Sequence, residues 1–321
     1  MPRPRRYVPR DSSRRRLWIY LAVLAFLLVD VLLISWALGA RSANVPSSTP
    51  GPIPTFTPEA SATPTPTASA ATVAIPPTRI LSALDDATAW RATTGECPST
   101  PATPELTTDG GQTWRMTDAT DDVQITALQR VTVASEAQVE IVGLAADDCS
   151  PQFARSFVAG EEYSTNADLL DDQWYVDPSD RSTVRTPGGE TTAPCDEVVG
   201  LAARPDDDAS AAIVCADTSV LATVDSGATW TVPLREDGIV NLSVTAMGYL
   251  IATVGLPECA GVQLTTLSDD LTTATPTGCL PVDLPAETMQ GKVAVSEAAG
   301  TLWVWAGDSV MRSSDQGTSW Q

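Results

Sequence analysis

Histidine is absent from this 321-residue chain. That removes Ser-His-Asp and Cys-His catalysis and every His-ligated metal site. Lysine is almost missing as well, with Lys292 standing alone among 19 Lys and Arg residues. No Cys-x-x-Cys occurs, so zinc-ribbon and thioredoxin-type sites have nothing to rest on. Positive charge is scarce after residue 41: from Ser42 onward 11 basic residues face 38 acidic ones, a net charge near −27. Such a surface repels nucleic acid, whose affinity comes from Lys and Arg neutralising phosphates. It favours solubility and says little about fold. Abundant Arg, Ala and Thr beside so little Lys read as a high-GC bacterial coding bias.

Long apolar runs are also missing, with one exception. Residues 17–39, LWIYLAVLAFLLVDVLLISWALG, are nearly continuous in apolar side chains. At about 1.5 Å per residue they reach roughly 35 Å as a helix, enough to cross a bilayer core. Trp18, Tyr20 and Trp36 lie near its ends, where aromatic rings favour the interface. Arg3, Arg5, Arg6, Arg10, Arg14, Arg15 and Arg16 precede the run, and only Arg41 follows closely. The positive-inside rule then puts residues 1–16 in the cytoplasm and the chain beyond residue 40 outside, on a plasma membrane crossed once. A cleaved signal peptide is the competing reading, but its apolar core would be shorter. Asp30, near the middle of the run, is costly there and marks a contact point for a partner helix or a tolerated protonated residue. Residues 40–77 form a Pro/Thr/Ser-rich linker with nine prolines between 42 and 77. That composition favours an extended, disordered stalk.

Residues 78–321 carry a repeat. Thr107–Trp114 (TTDGGQTW), Thr223–Trp230 (TVDSGATW) and Ser313–Trp320 (SSDQGTSW) share the pattern S/T-x-D-x-G-x-T/S-W. Asp109, Asp225 and Asp315 sit where a short acceptor collects the N–H groups of a tight turn. Gly111, Gly227 and Gly317 permit positive φ. Thr113, Thr229 and Ser319 complete the turn, and Trp114, Trp230 and Trp320 are expected to open the next strand and pack on a neighbouring hairpin. Each residue thus has a structural task, and none of these aspartates is a catalytic candidate. The octet resembles the Asp-box, or bacterial neuraminidase repeat, of sialidase- and sortilin-like β-propellers. The resemblance implies an all-β propeller in which the box joins the third and fourth strands of a four-stranded blade.

Two weaker copies fill the gaps. Ser156–Tyr163 (SFVAGEEY) has Val158 where Asp is expected, and a turn at Ser268–Asp270 lacks the Trp. Steps between the five turns suit four-stranded blades, except for one overlong interval. Strand-like runs include Val131–Ala134, Val139–Leu144, Ala211–Val214, Ile239–Thr245, Leu250–Val254, Lys292–Ser296 and Thr301–Trp305. The expectation is five blades, with six as the alternative if residues 164–194 form a blade rather than an inserted hairpin. Whether Arg79–Leu84 supplies a strand to the last blade is open.

All six cysteines lie beyond the apolar run, which reads as disulfides in an oxidising compartment. Cys195 and Cys215 are symmetric about a turn at Arg204–Asp208, and Cys259 and Cys279 about Ser268–Asp270. Cross-strand neighbours must be symmetric about their turn, so each pair would bridge the open end of one hairpin. Cys97 and Cys149 remain, at the ends of second strands in consecutive blades. Among fifteen formal pairings this one is preferred. The disulfides would then mark the face opposite the octets, where segment 164–194 is expected to present Asp171, Asp172, Trp174, Tyr175 and Asp177 as a binding face.

The resemblance first implies a sialidase-like glycosidase, with an arginine triad, a Tyr–Glu nucleophile, an acid and an Arg-Ile-Pro motif. Here Arg79–Ile80 is followed by Leu81, the arginines are scattered, and Glu161, Glu162 and Tyr163 occupy the degenerate octet. A strongly acidic head is also a poor trap for an anionic sugar. The favoured reading is a non-catalytic binding or assembly module for an envelope protein or ligand, with no cofactor and no metal. An acidic loop, Asp206–Asp208, is more simply a solvated turn than a cation site.

Overall fold

The computed structural model describes residues 74–321; the expected cytoplasmic tail, membrane span and most of the linker lie outside them. Six antiparallel sheets are arranged as blades around a central channel. Blade 1 comprises β1 (Arg79–Ala83), β2 (Ala89–Thr93), β3 (Glu105–Thr107) and β4 (Arg115–Met116). Blade 2 comprises β5 (Ile125–Val133), β6 (Val139–Ala145), β7 (Pro151–Ser156) and β8 (Ser164–Thr165). Blade 3 has three strands, β9 (Tyr175–Val176), β10 (Thr183–Thr186) and β11 (Gly189–Thr192). Blade 4 holds β12 (Val198–Ala203), β13 (Ala211–Cys215), β14 (Ser219–Thr223) and β15 (Leu234–Arg235). Blade 5 holds β16 (Ile239–Thr245), β17 (Gly248–Val254), β18 (Gly261–Ser268) and β19 (Ala274–Pro281). Blade 6 consists of β20 (Val293–Ala298), β21 (Thr301–Ala306) and β22 (Ser309–Ser313). The chain is a six-bladed β-propeller.

The blade beyond the expected five is blade 3, folded from within the overlong interval 164–194. Strands β13, β14, β17 and β21 are buried at every position. They lie mid-blade, covered on both faces by neighbouring sheets, so they read as continuous apolar runs rather than alternating ones. The cores therefore fill the wedges between blades. One joins Val214, Val220 and Ile251 across blades 4 and 5, and another joins Leu250, Leu264 and Val304 across blades 5 and 6.

Side chains and backbone also link the inner strands. Asn241 on β16 accepts from Val295 N–H of β20 at 3.2 Å. Ser296 on β20 accepts from Ala83 N–H of β1 at 3.0 Å. Ser82 on β1 accepts from Val133 N–H of β5 at 3.2 Å. Arg130 Nη1 donates to Trp174 O at 3.2 Å, and Arg181 Nε to Val198 O at 2.9 Å. Five of six seams thus carry a polar bond near the channel, which satisfies edge groups that would otherwise be unpaired. The seam between blades 4 and 5 is apolar near the channel. Farther out it is held by the Arg204–Asp269 ion pair, with Arg204 above the Tyr249 ring.

Blade 3 departs from the pattern. Trp174 Nε1, at the start of β9, donates to Asp208 O beside the β12–β13 turn at 2.9 Å. The far end of β9 leads to Arg181, which bonds Val198 at the start of β12 in both directions. So β9 runs opposite to β12, whereas β1 and β20 run side by side, as the bonds Thr78–Gly291 and Ala83–Ser296 show. The ring is closed by side-by-side packing of its first and last blades. Strand β1 is the inner strand of blade 1 and does not complete blade 6, while Gln321 pairs with Arg312 on β22 in both directions.

Candidate functional site

The octet turns fold as their residues dictate. Asp109 accepts from Thr113 Oγ1 at 2.6 Å, Thr113 N–H at 2.9 Å and Thr107 Oγ1 at 2.8 Å. Thr107 Oγ1 in turn accepts from Gly111 N–H at 2.8 Å. Asp225 repeats the set with Thr229 and Thr223, and Asp315 with Ser319 and Ser313. Gly111, Gly227 and Gly317 take φ between 82° and 84°. Hydroxyl and amide donors hold the Asp109 and Asp315 carboxyls down to about 2, and Asp225 is lowered for the same cause. Both oxygens of each carboxylate accept from within the turn, so these carboxylates are not poised for proton transfer. The tryptophans do not open strands. β4 begins one residue after Trp114, and Trp114, Trp230 and Trp320 sit half-buried against their cores.

The degenerate octet keeps the turn without its aspartate. Ser156 Oγ accepts from Gly160 N–H at 2.9 Å, the role Thr107 plays, and Ala159 and Gly160 both have positive φ. Tyr163 replaces the terminal Trp and bonds Thr117 Oγ1 at 2.9 Å. In blade 5, Asp270 accepts from Ser268 and Thr272 hydroxyls, and its carboxyl falls to about 2.

Three disulfides join Cys97 to Cys149, Cys195 to Cys215 and Cys259 to Cys279. The last two bridge the open ends of the β12–β13 and β18–β19 hairpins. The first staples the β2–β3 loop of blade 1 to the β6–β7 turn of blade 2. All three lie at the ends of the blades opposite the octets.

The five residues expected to form a binding face do not share one. Trp174, Tyr175 and Asp177 are buried, and only Asp171 and Asp172 are exposed. Because β9 is reversed, Asp171 lies at the octet end, where its carbonyl accepts from Gly188 N–H, while Asp177 turns toward the disulfide end. Burial opposes Asp177 ionisation, but bonds from Ser179 and Arg185 outweigh it and lower its pKa. Tyr175 packs with Val142 and Phe153 between blades 2 and 3. Asp207 is likewise spent on its own turn, accepting from Ala209 and Ser210. No cluster of three metal-ligating side chains occurs among the described residues.

The channel forms a cavity of about 540 Å³. Its wall is built from inner strands of all six blades, together with Arg79, Arg130, Arg181 and Glu297. Among the described residues no carboxylate lies within salt-bridge range of Arg130; burial lowers its pKa, and the more distant Glu140 partly offsets that. Glu297 is the one carboxylate that the described residues place in the wall, and its two oxygens accept from Gly300 and Ala246 N–H. Sequence reasoning missed this site because its members are single polar residues on separate inner strands. It also assigned residues 74–77 to the linker, whereas they line the channel. Their apolar Ala-Ile-Pro-Pro composition, unlike the Ser/Thr-rich stretch before them, was the available signal.

No protein-family model matches the chain, and no curated protein does. Solved structures do. YCF48 from Cyanidioschyzon merolae is 17% identical over 78% of this chain and 86% of its own, with a TM-score of 0.39. A mutant of Aleuria aurantia lectin in complex with Fucα1-6GlcNAc is 12% identical over 76% of this chain and 94% of its own, at 0.46. The GH74 enzyme of Niastella koreensis is 14% identical over 75% of this chain, at 0.41; this chain spans 46% of it.

Proposed function

We propose that the chain is a membrane-anchored, extracytoplasmic propeller that binds a protein or small ligand at the bacterial envelope without transforming it. The observation that carries the binding role is the channel. Its volume is of small-molecule size, and its wall offers strand edges, the Arg130 guanidinium and a single carboxylate already engaged by two backbone amides. Most glycoside hydrolases use a pair of carboxyls flanking the scissile bond, and sialidases a Tyr–Glu nucleophile with a separate acid. Disulfides stiffening one end of the ring suit an oxidising compartment, and the anchor rests on the length and arginine asymmetry of residues 1–41. Among the described residues no helix is long and apolar enough to cross a membrane; the expected span precedes them.

The test is chemical crosslinking and pull-down of the full chain from envelope membranes, beside assay on fluorogenic glycosides. Specific capture of a partner that Arg130→Gln weakens, with no turnover, is the expected result. Turnover abolished by Glu297→Gln would replace the binding reading with the hydrolase one.

A further inference from the structure

The channel's two ends are not equivalent. Ala74 is buried in the core shared by blades 4 and 5, and its N–H donates to Ala216 O in the β13–β14 turn at 3.0 Å. Four residues later Thr78 donates from both N–H and Oγ1 to Gly291 O, ahead of β20 in blade 6, and the chain enters β1. Between those anchors Ile75, Pro76 and Pro77 line the cavity. A Cβ on Gly291 would lie 3.2 Å from both Ile75 Cδ1 and Pro76 O, so the segment is seated closely there. Blade 4 is directly across a six-membered ring from blade 1. The chain therefore crosses the channel mouth at the disulfide end from one side to the other. Two consecutive prolines keep it extended. At the octet end the wall terminates in Ala83, Val133, Ala203, Val244 and Ala298, the last or near-last residues of inner strands that turn back into their own blades.

We infer that Ala74–Thr78 is a strap sealing the disulfide end, so that the ring is a cup entered from the octet end. This deepens the binding role proposed above and reverses the face expected from the sequence. The ligand is of small-molecule size, and it inserts past a rim of Ala and Val residues with Glu297 beside Ala298. It meets Ser243 near the rim and Arg130 deeper in. An occupant too broad to pass Ala83, Ala203 and Ala298 is excluded, because the other mouth is already filled by the chain itself.

The test requires no ligand. All six cysteines are in disulfides, so Ser243→Cys in the full chain supplies a single free thiol in the cup wall. Its reaction with a small maleimide is followed with and without Ala298→Trp, which fills the rim. The rate should fall at least about tenfold, as protection of a closed site does. Adding Ala74→Asp, which places a charge in the strap's apolar socket, should restore most of it by opening the second mouth. Ala203→Trp is the second rim variant, and melting curves confirm folding of each. Unchanged reactivity in folded rim variants would overturn the inference, and so would failure of Ala74→Asp to restore it while the strap amide exchanges freely. Because the readout is thiol access, a protein that captures no partner would refute the binding role and leave this result standing.

Discussion

A carboxylate held by donors from its own turn stabilises the fold only while it is ionised. Asp109 falls from the ordinary aspartate value near 4 to about 2, chiefly through the Thr113 hydroxyl and then the Thr113 and Thr107 bonds. A lowered folded pKa contributes stability that is complete above the unfolded value and lost as pH falls through the folded one. Asp109→Asn should therefore lower the urea midpoint at pH 7 and lower it much less at pH 2. An equal loss at both pH values would show that charge has no part in the turn. The degenerate octet supplies the converse experiment. Val158 is half-exposed and Glu162 exposed at the positions where Asp and Thr belong, while Ser156 and Gly160 already hold the turn. Val158→Asp with Glu162→Thr should restore the missing acceptor and its partner and raise Tm. A fall in Tm would mean that the backbone there does not accept the full octet geometry.

At the scale of elements, legibility followed how local the encoding is. The octet turns were readable because eight contiguous residues specify acceptor, donor and positive φ. The hairpin disulfides were readable because register about a turn is a matter of counting. Blade 3 was not, since β9 and its neighbours are two to four residues long and β9 runs against β12, a reversal decided by Trp174 and Arg181 bonding blade 4. The channel escaped notice for a related reason: Ser82, Asn241 and Ser296 matter through what the next blade offers them. Blade packing hides another requirement in Gly278. Its φ is unremarkable, yet a Cβ there would lie 2.4 Å from Gly317 Cα across the seam between blades 5 and 6. Gly278→Ala should cost about 1–3 kcal/mol, as overpacking does. Chemical denaturation would measure it, and a neutral result would mean the octet turn of blade 6 moves freely.

The whole ring must hold together without sharing a strand between its first and last blades. That seam carries bonds from Thr78, Arg79 and Ala83 to blade 6, and Trp303 Nε1 donates to Asp85 O at 2.9 Å. Along its flank Arg79 stacks on Trp305 at 4.5 Å, and Arg91 lies between Trp305 and Trp114. The next seam, between blades 1 and 2, packs Trp90 and Leu106 against Ile125, Leu128 and Ile141, carries the Arg115–Ala159 and Thr117–Tyr163 bonds, and adds a covalent link. Its disulfide closes a 52-residue separation, against 20 for each hairpin bridge. Loop-closure entropy alone then ranks it at about 4 kcal/mol beside about 3 for the others. The larger difference is one of place. A hairpin bridge reinforces strands already paired, whereas Cys97–Cys149 joins units whose inner strands share the Ser82–Val133 bond. Cys97→Ala with Cys149→Ala should therefore lower Tm more than Cys195→Ala with Cys215→Ala. It should also speed hydrogen exchange at Val133 while Cys195→Ala/Cys215→Ala leaves that amide protected. Equal losses with no local change at Val133 would mean that the seam closes by packing alone and that the disulfide acts only on the unfolded chain.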